Sequence, residues 1–132
     1  MKMIILLVGS GFLFASCSKA GDPPAPASLL GTWTRAVQVT LYSPKNGGNS
    51  VTTTSQIGIG QTFTFAADGY LTITRDGVPD NRKISYTYSG TTLTINISTM
   101  VTVVELSAKR LVYAMTLDSP QETVTTTDTF TR

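Results

Sequence analysis

Thr62-Phe63-Thr64-Phe65-Ala66-Ala67-Asp68-Gly69-Tyr70-Leu71-Thr72-Ile73-Thr74 is the stretch that decides the fold. Phe63 and Phe65 share one face of an extended chain and Thr62 and Thr64 the other. Beyond Asp68-Gly69, Leu71 and Ile73 again stand opposite Thr72 and Thr74. Alternation with period two is the mark of a half-buried antiparallel strand. Asp-Gly between two such runs is a strong hairpin signal.

The same pattern runs outward in both directions. Ile84, Tyr86 and Tyr88 repeat it, as do Leu93, Ile95 and Ile97, and then Leu111, Tyr113, Met115 and Leu117. Threonine occurs 23 times between Thr32 and Thr131 and nowhere before. Its β-branched side chain suits a pleated, half-exposed surface. Ser89-Gly90 marks another tight turn, while 43–50 and 76–81 read as longer loops of turn formers. No segment carries a helical period.

Eight strands follow, at about 30–42, 51–65, 70–75, 83–88, 91–97, 101–106, 111–117 and 123–131, the second open to a break where Gly58 and Gly60 fall. Short links between consecutive strands predict an all-β, up-and-down antiparallel barrel, because closure removes both exposed edges.

The N-terminus has a different character. Met1-Lys2-Met3 precedes an apolar run from Ile4 to Phe14, and Ala15-Ser16 leads to the only cysteine, Cys17. The apolar run is too short for a membrane-spanning helix, which needs about 20 residues. A charged start, an apolar middle and small residues before a cysteine resemble a bacterial lipoprotein signal peptide. That resemblance implies removal of residues 1–16 and lipidation of Cys17. Ser18 after Cys17 then implies the outer membrane, and because Lys19 with only Asp22 after it matches the surface-exported lipoproteins in part, the periplasmic face is expected ahead of the cell surface. Residues 17–28 carry Pro23, Pro24 and Pro26 and read as a semi-rigid tether, reaching up to about 30 Å at 3.1 Å per residue. Residues 29–132 form the barrel domain.

Lys2 aside, nine Lys and Arg face eight Asp and Glu. So even a balance, without a basic stripe, gives no footprint for nucleic acid. No histidine and no second cysteine exist to build the usual zinc, copper or haem site, and no cofactor is expected. A serine nucleophile has no histidine to activate it. The carboxylates Asp68, Asp76, Asp80, Asp118 and Glu122 fall in or beside turns, so the expectation is a protein that is not an enzyme.

Leu30-Gly31-Thr32-Trp33 is similar to the Gly-x-Trp motif of lipocalins. The order of Phe63-Thr64-Phe65, Asp68-Gly69, Tyr86-Thr87-Tyr88 and Leu93-Thr94-Ile95 resembles the small lipocalin-like (calycin-type) domains of Bacteroidetes lipoproteins. The resemblance covers residues 29–132. It implies a small hydrophobic ligand in the barrel, and the short chain implies a small cavity. It also pairs the first-strand tryptophan with a late basic residue, here Trp33 with Arg132, as a structural plug at the closed end.

Tyr86, Tyr88, Tyr113 and Met115 sit on the inward face and either line an apolar pocket or fill the interior of a small barrel. Arg35 is expected to share a face with Trp33 and Val37, and Asp128 with Val124 and Phe130 if the last strand alternates cleanly; the two charges then pair, grip a polar ligand head or, as is commoner for such residues, lie solvated near the barrel mouth. Two functions follow: a lipid-anchored carrier or sensor of a small hydrophobic or amphipathic ligand, or a non-enzymatic protein-interaction module, either a subunit of an envelope complex or an enzyme inhibitor, with an unidentified protein partner.

Overall fold

The computed structural model describes residues 27–132; the expected signal segment, Cys17 and the expected tether up to Pro26 lie outside the described residues. Ten strands form a single sheet: β1 (Gly31–Pro44), β2 (Val51–Ser55), β3 (Thr62–Phe65), β4 (Tyr70–Arg75), β5 (Val78–Pro79), β6 (Ile84–Ser89), β7 (Thr92–Ile95), β8 (Thr99–Leu106), β9 (Arg110–Asp118) and β10 (Glu122–Thr131). Neighbours run β10-β9-β8-β7-β6-β4-β3-β1, and β1 pairs β10 antiparallel to close the ring. The protein is an all-β, closed, antiparallel eight-strand barrel. Among the described residues there is no helix.

Two strands stand outside the ring. The expected strand 51–65 is broken: Gly58 and Gly60 take φ of 76° and 80°, and the chain leaves the sheet between Ser55 and Thr62. Its first half, β2, pairs Gln38–Tyr42 of β1; its second half, β3, pairs Gly31–Thr34. β1 is therefore long enough to project beyond the ring, with β2 on one side and β10 and β9 on the other, as a four-stranded lip.

The second departure is in the turns. The hairpin expected at Asp68-Gly69 forms, with β3 antiparallel to β4, but the two-residue turn is at Asp76-Gly77, where both residues have positive φ (51° and 78°). Asp-Gly suits this left-handed pair. Asp68-Gly69 closes a longer loop instead, in which Ala66 N–H donates to Tyr70 O at 2.9 Å and Asp68 Oδ1 accepts from Tyr70 N–H at 3.1 Å.

β7 also ends earlier than expected. Asn96 and Ile97 have φ of 52° and 57°, so Ile97 swings out to 91% exposure rather than joining Leu93 and Ile95 inside. A β-branched residue in this region is strained by roughly 1–2 kcal/mol. Because Ile97 has almost no burial to lose, Ile97→Gly is expected to stabilise the fold by about 1 kcal/mol, read as a thermal midpoint higher by about 4–8 °C. An unchanged or lower midpoint contradicts the strain.

The inner face is packed in the half of the barrel that holds Trp33. Trp33, Phe65, Leu71, Leu93, Leu111 and Phe130 are fully buried, with Phe63, Val101, Val103 and Tyr113 around them. Phe63 meets Phe130 edge-on at 5.0 Å between ring centres, and Phe65 meets Tyr86 at 5.0 Å and 87°. Edge-to-face rings at this spacing are a favoured arrangement. A core of large rings fills an eight-strand ring without a bore.

Candidate functional site

The two ends of the barrel are built differently. At one end the chain arrives through Ala27–Leu30. Leu29 is buried under the core, and its carbonyl accepts from Trp33 Nε1 at 2.8 Å. Arg132 lies with its guanidinium carbon 4.0 Å from the Trp33 ring centre. Its three nitrogens donate to carbonyls from two other segments: Nη1 to Leu30 at 2.8 Å, Nη2 to Ser28 at 3.2 Å and Nε to Ala108 at 2.8 Å. Trp33 and Arg132 thus come together, tying residues 28–30 to the end of the last strand over the filled half. Gly31 is needed here: its φ is 114°, and a Cβ on it would stand 3.1 Å from Arg132 Nη1. Arg110, the other basic residue near the end of the chain, instead faces Glu105 at 3.4 Å on the surface.

The other end is open. Its floor is the one charged pair inside the barrel. Arg35 Nε lies 3.1 Å from Asp128 Oδ1, with both side chains largely buried. The approach is close but badly aligned, so Arg35 Nε makes no hydrogen bond; Gln38 Nε2 donates to the same oxygen at 3.0 Å. The guanidinium also rests 5.1 Å from the Phe63 ring and 5.6 Å from the Phe130 ring. Loop 56–61 passes over it, and a Cβ on Gly58 would come within 2.6 Å of Arg35 Nη1. Burial pushes the Asp128 carboxyl above its ordinary range, against the pull of Arg35 and the Gln38 hydrogen bond.

The alternation puts Arg35 and Asp128 on the inner face; that they are buried as a pair, rather than solvated near the mouth, is decided by the fold. A bulge between Arg35 and Val37 resets the register: Arg35 stands opposite Phe130, Val37 opposite Thr129 and Gln38 opposite Asp128. Val37 therefore turns to the outer face with Thr129, contrary to the expected shared face, and Gln38 turns inward.

Tyr86, Tyr88, Tyr113 and Met115 do not line one pocket. Tyr86 and Tyr88 lie on β6 toward the closed end, bordering a cleft of about 360 Å³ with Ala27–Leu30. Tyr86 donates its hydroxyl to Ala66 O at 2.6 Å, and burial followed by Asp68 raises its pKa. Tyr88 is partly exposed. Tyr113 is core, opposite Asp128 and 5.1 Å from Phe130. Met115 packs above it, opposite Thr126.

Tyr113 has a pH consequence. Burial, with Asp128 next, raises its pKa from 10.0 to about 12, Arg35 opposing. The folded state therefore holds the phenolic proton more tightly than the unfolded chain. The associated stability is intact below pH 10 and is lost as pH rises to about 12, amounting to roughly 2–3 kcal/mol. Urea midpoints measured from pH 9 to 12 are expected to fall along this course, and Tyr113→Phe to flatten it. The same fall in the variant contradicts the assignment.

Above the floor the lip presents rows of side chains on the inner face. One row is Val51, Tyr42, Val124 and Leu117, directly opposite one another across β2, β1, β10 and β9. Val51 and Leu117 are more than half exposed. The row below is Thr53, Thr40, Thr126 and Met115. Further round the rim a cleft of about 480 Å³ is lined by Arg82, Lys83, Ile84, Ile95 and Asn96. It opens because β6 pairs β4 only through Tyr70 and Leu71, the upper part of β4 pairing β5 instead. Lys83 sits 4.0 Å from the Tyr70 ring centre. Arg82 grips Asp80 with hydrogen bonds down to 2.6 Å and holds that carboxyl at about 2.

The lip and the Arg82–Asn96 cleft were not among the sequence expectations. The signal for the lip was present in the length of the first and last alternating runs, 30–42 and 123–131, which exceed the five runs from 70 to 117. Among the described residues, no group of three or more acidic or cysteine side chains is placed to hold a metal ion, and no helix is long and apolar enough to cross a membrane. Comparison with family models, curated proteins and solved structures gave no match to the chain.

Proposed function

We propose that this chain is a lipid-anchored lipoprotein of the cell envelope, without catalytic activity, whose barrel takes up a small amphipathic ligand at its open end. In this reading Cys17 carries the acyl chains in the outer membrane, on the periplasmic face, and the barrel belongs with the lipocalin-like lipoproteins it resembles. The observation that carries the ligand reading is the cleft of about 480 Å³ in which Ile84 and Ile95, both packed on the core, stand beside Arg82 and Lys83. An apolar wall with a few polar groups at its edge is the usual make-up of a small-molecule site. With Arg82 already held by Asp80, Lys83 is the cation at the rim that favours an anionic head, with the short tail on the isoleucines.

Residues 27–30 lie at the plugged end, opposite the mouth that holds the cleft. The filled interior supports a shallow site at the mouth rather than a deep one.

Native mass spectrometry of the full chain, purified from envelopes in mild detergent, tests this reading. The expected result is a lipid-modified N-terminus at Cys17 and one further small ligand bound to the protein. Added laurate is expected to occupy the same site, and Lys83→Glu to weaken its binding. A chain that carries no ligand and takes up no laurate counts against the carrier reading. An unmodified Cys17 removes the anchor.

The apolar row on the lip favours a second reading, a protein-interaction module. Val51 and Leu117 remain exposed where a monomer has nothing to cover them.

A further inference from the structure

β2 is the free edge of the sheet. It pairs β1 on one side, and no strand among the described residues pairs its other side. Edges of this kind are ordinarily blunted by lysine, proline, a bulge or an inward charge. β2 reads Val51-Thr52-Thr53-Thr54-Ser55, with none of these, and its residues are almost all exposed. Its unpaired backbone groups and β-branched side chains make it a template for another strand.

We propose that the occupant is a second copy of the same strand, paired antiparallel about a two-fold axis through Thr53. The argument is self-complementarity. In that register Thr53 meets its own counterpart, Thr52 meets Thr54 and Val51 meets Ser55. The inner-face row Met115, Thr126, Thr40 and Thr53 then continues across the axis into Thr53, Thr40 and Thr126 of the other copy.

Threonine rows of this kind already join strands within the chain. Thr40 and Thr126 hydroxyls lie 3.4 Å apart, Thr116 and Thr125 3.2 Å, and Thr32 and Thr64 2.8 Å. The joint repeats chemistry that the barrel uses internally, and cross-strand threonine pairs are favourable. The axis is compatible with either hydrogen-bonding phase of the edge, since an antiparallel pair has a two-fold at every opposed residue pair. The contact is isologous and closes at two copies.

A two-fold across antiparallel strands sets the two barrels in opposite directions. The closed ends, where residues 27–30 enter, lie at opposite ends of the pair. This proposal holds whether or not the open end binds a small ligand.

The test uses the full chain in mild detergent. Thr53→Cys is expected to give a covalent dimer on oxidation or with a short bismaleimide, while the unaltered chain, with Cys17 alone, and Lys109→Cys at the closed end do not. By sedimentation the unaltered chain is expected to dimerise, and Thr53→Lys to weaken that dimer by about tenfold or more, since a lysine on each side of the axis places like charges opposite one another. Thermal melting of each variant separates lost pairing from lost folding. A chain that stays monomeric at high concentration, with no cross-link through position 53, overturns the proposal. So does a dimer that forms equally well in folded Thr53→Lys, or a cross-link as strong from position 109. A monomer that instead takes up an extended peptide along β2 overturns the second copy as the occupant.

Discussion

Trp33→Ala is expected to cost about 3–5 kcal/mol, the range for removing a large buried aromatic side chain from a close-packed core. Trp33 is completely shielded from solvent and stands at the level where β1 passes from the chain's entry into the ring. Its loss also frees the Leu29 carbonyl from Nε1 and leaves Arg132 without the ring beneath it. For a domain of this size, losses of that order take up much of the total stability, so the variant is expected to be largely unfolded near its growth temperature. Urea unfolding followed by far-UV circular dichroism measures it.

Arg132→Lys makes the informative comparison. It keeps the charge but removes the planar fork that reaches three carbonyls and lies flat on the indole, and a loss of about 1–2 kcal/mol is expected. If Trp33→Ala costs less than about 1 kcal/mol, the plug is not what holds this end shut. If Arg132→Lys costs as much as Trp33→Ala, the carbonyl contacts outweigh the packing.

The second large effect is at the floor of the open end. Asp128→Ala is expected to destabilise the protein by about 3–5 kcal/mol, because it leaves the Arg35 charge buried against Phe63 and Phe130 without a counter-charge. Replacing both partners with apolar groups, Arg35→Met with Asp128→Val, is expected to recover most of that loss or exceed the original stability. The reason is that two desolvated charges repay their burial poorly when their approach is misaligned, as it is here. Chemical denaturation of the two single variants and the double variant gives the coupling directly. A double variant worse than Asp128→Ala sinks the idea.

The pH dependence has a definite sign. Asp128 has its pKa raised in the fold, so its ionisation is penalised there at neutral pH. That penalty is relieved as pH falls through the folded pKa toward the unfolded value near 3.8. Asp128 on its own therefore opposes the acid unfolding that other carboxylates promote, and Asp128→Asn is expected to remove this contribution.

How much of this was readable beforehand differs by feature. Phe63, Phe65, Leu71, Leu93, Leu111 and Phe130 announce themselves as one buried face, because side chains alternate strictly along any strand and each run states its own inside. The antiparallel order follows from the short links. The meeting of Trp33 and Arg132 was legible too, since closure of the first strand on the last brings their ends together. Ile97 and Val37 were misplaced for a common reason. A positive φ at Asn96-Ile97 and a bulge after Arg35 each interrupt the period of two, and neither a β-branched residue nor an alanine advertises such a break. In the sequence Asp76-Gly77 reads as part of a longer loop, because Val78-Pro79 makes so short a strand.

The residues alone thus determined an all-β chain, its inner face and its antiparallel order, since each is a local property written every second residue. Only the tertiary structure decided that β1 outruns the ring and projects a lip, that Gln38 rather than Val37 joins Asp128, and that Tyr86 and Tyr88 stand away from Tyr113 and Met115. These are matters of register between strands far apart in the chain. A single bulge or an early strand end shifts every partner beyond it, and no stretch of sequence carries that information by itself.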